Sequence, residues 1–245
     1  MTDFTKYTDS VLSALMYSQR SAELITKKQE VIDGVYQFHN FVPSTVLFVG
    51  FSTAILSCGA DSIFVTFISD DAQKYLKSQG INFTYISEIE LSKYQKQFDV
   101  VIALEEFFTF SNNDVDQHNT VKTICDTAKE FVITTLRDYK NQNYKEREFS
   151  QSALIRNSNE CMIFSEFHDW DIKDRTLWNS TVYEIDVTTN VMKSYGPFHR
   201  RTMYFKQLAK FSADAGASDF LVHKNLMYKS LIRKNYEHVI SIRFD

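Results

Sequence analysis

The chain has 245 residues, 44% of them hydrophobic and 24% charged, with a formal net charge of −4. That length can bury a sizeable core, and the charge balance supplies no global basic field to draw the chain to nucleic acid or an anionic membrane. No apolar run approaches the roughly 20 residues of a spanning helix, and MTDFTKYTDS has no basic stretch leading into an apolar one, so neither a membrane span nor a secretory signal is expected.

Cys58, Cys125 and Cys161 make no C-x-x-C pair and no metal spacing, and read as reduced thiols of a cytoplasmic protein. Glycine and proline are scarce. Average usage of about 7% and about 5% would give roughly 17 and roughly 12 residues. The chain has 6 and 2. The surplus of Phe, Tyr, Lys, Ile and Asn suits an A+T-rich genome, that of a phage or other virus or of a streamlined bacterium. No two glycines stand two apart, which excludes a G-x-G-x-x-G fingerprint and a Walker A loop.

In chain order, residues 1–43 form a helical segment. Val11, Leu12, Leu15 and Met16 share one helix face, and the stretch from Ser21 runs without a breaker until Gly34. Pro43 then punctuates. Thr45–Val49 and Ser62–Ile68 are short, almost wholly apolar strands, Asn82–Ile86 is a weaker one, and Asp99–Leu104 and Phe131–Leu136 are two more. Strands apolar on both faces, alternating with the helical stretches DDAQKYLKSQG and NDVDQHNTVKTICDTAKE, predict an α/β fold with a mostly parallel sheet covered on both sides. Asp70 or Asp71 is expected to cap the first of those helices, with Gly80 just past its end.

After Arg137 the stretch DYKNQNYKEREFSQS is polar and charged. Cys161–Phe167, Thr181–Val187 and Val191–Tyr195 then read as strands, the second and third joined through a turn at Thr188–Asn190. Tyr204, Leu208, Phe211 and Ala215 mark an amphipathic helix stopped by Gly216, and Phe220–Tyr228 and His238–Phe244 close the chain as extended runs. The expected organisation is a helical segment over 1–43 and an α/β domain over 44–245, with 138–199 as a β-rich insertion.

This order of elements resembles a class I S-adenosylmethionine-dependent methyltransferase over about Ser44 to Asp245. Val46-Leu47-Phe48-Val49-Gly50 is similar to the family's V-L-D-L-G, with Phe48 in place of the usual acid. Ser52 and Ala54 stand where the second and third glycines would be. FDVVIALEEFFTF resembles the fourth-strand motif, and PFHRRTMYFKQLAKFSADAG the stretch before the final antiparallel strand pair. The resemblance implies a Rossmann-like sheet with an antiparallel final strand. It also implies S-adenosylmethionine as cofactor and methyl transfer to a small molecule or a protein side chain.

On that resemblance Gly50, Phe51 and Ser52 would hold the methionine moiety, Asp70 the ribose, and Leu104 the reaction edge. Only eleven residues (Phe51–Asp61) separate Gly50 from the next strand, so the first crossover helix can have two turns at most. Glu105 and Glu106, at the strand end where open α/β sheets place ligands, are candidate general bases among Phe107, Phe108 and Phe110. They are equally well read as pocket-wall acids, because a sulfonium leaving group often makes positioning sufficient. His168, Trp170 and Arg200, in or beside the insertion, are candidate acceptor-binding residues. FHDWD is not read as a metal site. The absence of a basic run in the insertion disfavours nucleic acid as the acceptor. The alternative function is a catalytically inactive methyltransferase-like domain acting as a binding or assembly protein, of a virus for instance.

Overall fold

The computed structural model describes residues 3–17, 21–139, 147–149, 153–156, 161–229 and 236–245. Most of the polar stretch DYKNQNYKEREFSQS lies outside them. Two helices open the chain, α1 (Asp3–Tyr17) and α2 (Ser21–His39). α2 runs on past Gly34, because Gly34 sits where the helix meets the sheet. A Cβ there would lie 2.9 Å from Leu226 Cδ2.

The main sheet is built from β1 (Thr45–Val49), β2 (Ser62–Thr66), β3 (Thr84–Tyr85), β4 (Phe98–Ala103), β5 (Ala128–Leu136), β11 (Asp219–Lys229) and β12 (Tyr236–Arg243). Its order is β11-β12-β5-β4-β1-β2-β3. The pairs from β3 to β5 are parallel, and β12 runs antiparallel to both β5 and β11. β1 and β4 are central and buried on both faces, which is why they are almost continuously apolar. On β12 successive side chains point to opposite faces. Ser241 meets α2 through His39 Nε2 at 2.9 Å, whereas the His238 ring lies 5.4 Å from Phe205 of α5 (Phe205–Asp214). Helices therefore cover both faces, as the sequence pattern requires.

Of three further details, two differ from the sequence expectation. The weak strand over Asn82–Ile86 contracts to β3, a two-residue edge. Between β1 and β2 the crossover is a 3₁₀ turn, Thr53–Ser57, within the predicted length limit. The cap of α3 (Asp70–Ser78) is Ser69, whose hydroxyl accepts from the Ala72 amide at 3.1 Å, so Asp70 and Asp71 fall inside the first turn.

A second, antiparallel sheet in the order β10-β9-β8-β6 comprises β10 (Val191–Arg201), β9 (Leu177–Asp186), β8 (Cys161–Trp170) and β6 (Arg147–Phe149), with β7 (Ala153–Arg156) also on β8. β10 runs six residues beyond the predicted Tyr195. Gly196-Pro197 falls at a register irregularity between Tyr195 and Phe198, where the missing N–H of proline is not needed and pairing resumes. The Asp186 carboxylate accepts from the Thr188 and Thr189 amides and closes the expected turn. α1 lies between the two sheets. The Tyr7 ring stands 5.7 Å from Phe198, and Ser13 donates to Glu184 at 2.7 Å.

Candidate functional site

The C-terminal ends of β1, β2 and β4 lie side by side, and their loops bend sharply. Gly50 follows β1 at φ +81°, with its amide donating to Thr66 O at 2.8 Å. Phe67, Glu105 and Glu106 also have left-handed backbones, at φ +55°, +58° and +56°. Such conformations cost of order 1–3 kcal/mol each in non-glycine residues and cluster at ligand sites. Leu104 is buried immediately before the two glutamates. Both carboxylates are buried, and their adjacent left-handed residues send them into different networks.

Glu105 belongs to the Gly50 side. Its Oε1 accepts from Tyr228 Oη at 2.6 Å and from Lys28 Nζ at 3.4 Å, and Lys28 also donates to Tyr228 Oη at 2.7 Å. The Ser52 side chain lies near the same phenol. Burial, then the Glu105 charge, pushes the Tyr228 pKa well above the ordinary phenol value, so Tyr228 stays a donor. Gly50, Phe51, Ser52, Thr53 and Ala54 are all buried. What covers them is α1. A Cβ on Gly50 would run into Cε1 of Phe4 and lie 3.0 Å from Thr8 Cγ2. The Phe4 ring packs edge-on against Phe107 at 4.7 Å and Phe110 at 5.0 Å.

Glu106 belongs to the other side. Tyr139 Oη donates to its Oε1 at 2.5 Å, and Arg137 Nε and Arg200 Nη2 lie 3.0 and 3.3 Å from its Oε2. Arg200 reaches Glu166 through Nη1 at 3.1 Å, and Arg137 Nη2 and His168 Nε2 lie 3.7 and 3.3 Å from Glu166 Oε2. Two guanidiniums and two carboxylates thus neutralise one another out of water. Arg200 also stacks 4.4 Å from the Trp178 ring and 4.3 Å from the Phe110 ring. It forms one wall of a cavity of about 450 Å³ with Trp170, Trp178, Asp169, Asp171 and His199. Trp170 and Trp178 stack at 5.0 Å, and His168 stands edge-on to Trp178 at 4.8 Å, behind the wall. His168, Trp170 and Arg200 are therefore gathered in one place.

Asp70 lies elsewhere along the same edge. With Asp9, Asp71, Ser69, Ser87 and Glu88 it lines a groove of about 600 Å³ at the ends of β2 and β3. Asp9 receives a hydrogen bond from Ser69 Oγ at 2.5 Å, and burial raises its pKa above the ordinary carboxylate value. Among the described residues no cluster of three or more His, Cys, Asp or Glu could hold a metal ion.

The donor set suits the methionine end of S-adenosylmethionine. Lys28 and Glu105 present the two opposite charges that an amino-acid zwitterion needs, beside the hydroxyls of Ser52 and Tyr228. The space directly over Gly50 is taken by Phe4, so a ligand chain against that turn requires the ring to swing away. Phe4, Lys28, Tyr228, Tyr139 and Glu166 have no signature in the sequence. Only Arg137 left a trace, as a charge ending the apolar run FVITTL.

No family model matches the sequence, and neither does any curated protein. Solved structures do. An S-adenosylmethionine-dependent methyltransferase from Clostridium acetobutylicum is similar at 12% identity and TM-score 0.64, over 89% of this chain and 91% of the other. CalS10, an amino pentose methyltransferase from Micromonospora echinaspora solved with S-adenosylmethionine bound, is similar at 8% identity and TM-score 0.64, over 90% and 91%. DesVI from Streptomyces venezuelae is similar at 9% identity and TM-score 0.67, over 92% and 94%. Together with the strand order and the antiparallel β12, these likenesses show that the chain has the fold of the class I S-adenosylmethionine-dependent methyltransferases.

Proposed function

We propose that the chain transfers a methyl group from S-adenosylmethionine to a small polar molecule held between the sheet edge and the β8–β10 cap. The observation that supports this most is the split at the end of β4. Glu105 directs one buried network to the Gly50 turn, and Glu106 directs the next to the wall of the 450 Å³ cavity. One strand end thereby serves two ligand positions. Bound at the first, S-adenosylmethionine supplies a methyl group activated by a sulfonium.

In this proposal Lys28 and Glu105 take the carboxylate and ammonium of the methionine end, and the Gly50, Phe51 and Ser52 backbone follows its chain. Leu104 forms the apolar floor, and the Asp70 carboxylate accepts ribose hydroxyls from the groove. Residues 138–199 act as the acceptor cap. Trp170 and Trp178 give a flat apolar wall, Asp169 and Asp171 receive hydroxyl or amine protons, and His168 and Arg200 keep the wall in place. Glu106, already engaged by Arg137, Arg200 and Tyr139, fixes Arg200. Positioning two reactants is worth several kcal/mol when the leaving group is this good, so neither glutamate has to be a base. CalS10, named for an amino pentose acceptor, supports an acceptor of this size and polarity. Free Cys58, Cys125 and Cys161 agree with a reducing, cytoplasmic setting.

One observation favours a second function, a binding protein without catalysis. Phe4, Phe107 and Phe110 fill the space over Gly50 as a packed aromatic cluster. Thermal unfolding with S-adenosylmethionine or its demethylated product separates the two. Ligand at 100 times its dissociation constant adds about 2.7 kcal/mol, a rise in midpoint of about 5–11 °C for a chain of this size. Asp70→Ala is expected to abolish the rise and Asp71→Ala to keep it. No rise at millimolar ligand leaves the binding protein as the function.

A further inference from the structure

The second sheet is packed on one side only. Phe164 and Glu166 on β8, with Val182 and Glu184 on β9, face inward and are buried. Their alternate neighbours therefore face outward. An antiparallel sheet covered on one side ordinarily turns polar residues to water on the other. Here two lines of apolar side chains cross the outer face instead, although a glutamate, Glu184, is on the buried one.

Residues directly opposite one another on antiparallel strands project from the same face. The register pairs Leu154 with Ile163, Ile163 with Ile185, and Ile185 with Met192, so one aliphatic row runs across β7, β8, β9 and β10. Farther along the strands Phe149 pairs with Phe167, and its ring lies 4.9 Å from Phe167 and 6.2 Å from Tyr183. Leu154, Met192 and Phe149 are 51%, 64% and 63% exposed, so both lines are open to solvent. A contiguous apolar patch of this kind marks an interaction surface.

We propose that this face is the twofold interface between two copies of the chain, the outer faces of their second sheets packing about 10 Å apart. A twofold contact sets a patch against itself, so like charges at its centre would repel. The described residues of the two lines, and Ser165 and Ser194 between them, carry no charge. Charge stands at the end of the face, where Arg147 and Asp169 already pair at 3.1 Å. The area is also sufficient. At strand spacings of about 4.8 Å and a rise of about 3.3 Å per residue, the face measures roughly 19 by 30 Å. Two such faces give roughly 1,100 Å² in plan, and more as accessible surface, against the about 1,200–2,000 Å² that specific interfaces bury. The dimer does not depend on methyl transfer.

The test is analytical ultracentrifugation of the full chain at about 50 μM, above the micromolar constants of the weakest interfaces of this size. The wild-type chain is expected to show a mass twice the 28.6 kDa of one chain. The double change Leu154→Glu with Met192→Glu sets like charges against each other and is expected to weaken the dimer by about 100-fold or more. Both side chains are at least half exposed in the single chain, so the variant should keep its circular dichroism spectrum. Phe149→Lys, a single change in the aromatic line, is expected to act in the same direction. Val115→Glu, at a residue 67% exposed outside this sheet, is expected to leave the dimer intact. A wild-type chain that sediments as a monomer overturns the proposal and leaves the face to a different partner. A dimer indifferent to both face variants, or weakened equally by Val115→Glu, overturns it too.

Discussion

Replacing Phe4 by alanine tests whether α1 and a cofactor compete for the Gly50 turn. The ring is buried at 2% exposure and touches Phe107 and Phe110, so its removal should destabilise the free protein by about 3–5 kcal/mol. For a chain of this size that lowers the melting midpoint by about 6–20 °C. The effect on binding has the opposite sign. In the wild-type chain, a ligand reaching Gly50 must first expose the Phe4 ring, at a cost of about 1.5–3 kcal/mol, the value of burying such a side chain. Phe4→Ala deletes that cost, so S-adenosylmethionine should bind about 10- to 150-fold tighter. Calorimetric titration of both proteins, below the melting temperature of the variant, measures the ratio. A variant that is destabilised yet binds with unchanged affinity, or not at all, refutes competition at this turn.

Gly50→Ala should destabilise the chain through its left-handed backbone, by about 1–2 kcal/mol, and further through the collision with Phe4. In a urea-unfolding cycle the second part should disappear in the Phe4→Ala background. Arg200→Met leaves Glu106 and Glu166 sharing the Arg137 guanidinium. A loss of about 3–5 kcal/mol is expected from urea midpoints, and an unchanged midpoint would refute the network. His39 and His223 each place Nε2 2.9 Å from Ser241 Oγ. Burial lowers both pKa values, with Arg243 adding to the effect at His39 and His39 at His223, while Asp219 opposes it at His39. The folded chain then binds fewer protons than the unfolded one. Stability from this pair is present above the ordinary value of 6.5 and lost as pH falls through the folded values. Melting curves taken from about pH 8 down to about pH 5 should show the loss, and the double change to Gln should flatten it. Burial, followed by Asp126, pushes the Cys125 thiol up to about 12, so iodoacetamide at neutral pH should label Cys58 and Cys161 and spare Cys125.

The sheet was legible because its central strands have no polar face to hide their identity. Val46–Val49 and Val100–Ala103 are buried throughout, and a run of apolar residues between turn signals has few other meanings. Errors arose where a local signal met a tertiary contact. Gly34 looks like a helix stop, but its missing side chain admits Leu226, and Asp70 and Asp71 look like caps, yet Ser69 stands one residue earlier in the geometry a cap needs. The site was half legible. Gly50, Glu105 and Arg200 announce themselves by type and position. Lys28 and Tyr228 do not, because they join Glu105 across 77 and 123 residues, and no local periodicity encodes such a pairing.

The positions of Glu105 and Glu106 explain why the N-terminal helices belong to the site rather than merely precede it. Two consecutive left-handed residues persist only where the surroundings over-determine them. Here the restraint is chemical as well as steric. α2 supplies the ammonium that holds Glu105, and β10 supplies the guanidinium that holds Glu106, while α1 closes the gap between them with Phe4 and Tyr7. Tyr7 touches both sides, stacking with Phe4 over the turn and meeting Phe198 of the cap edge-on. A displacement of α1 large enough to free Gly50 must therefore also loosen α1 from the cap that walls the acceptor cavity. In the proposed function the two ligand positions are thus coupled through one helix whenever α1, and not the Phe4 ring alone, moves.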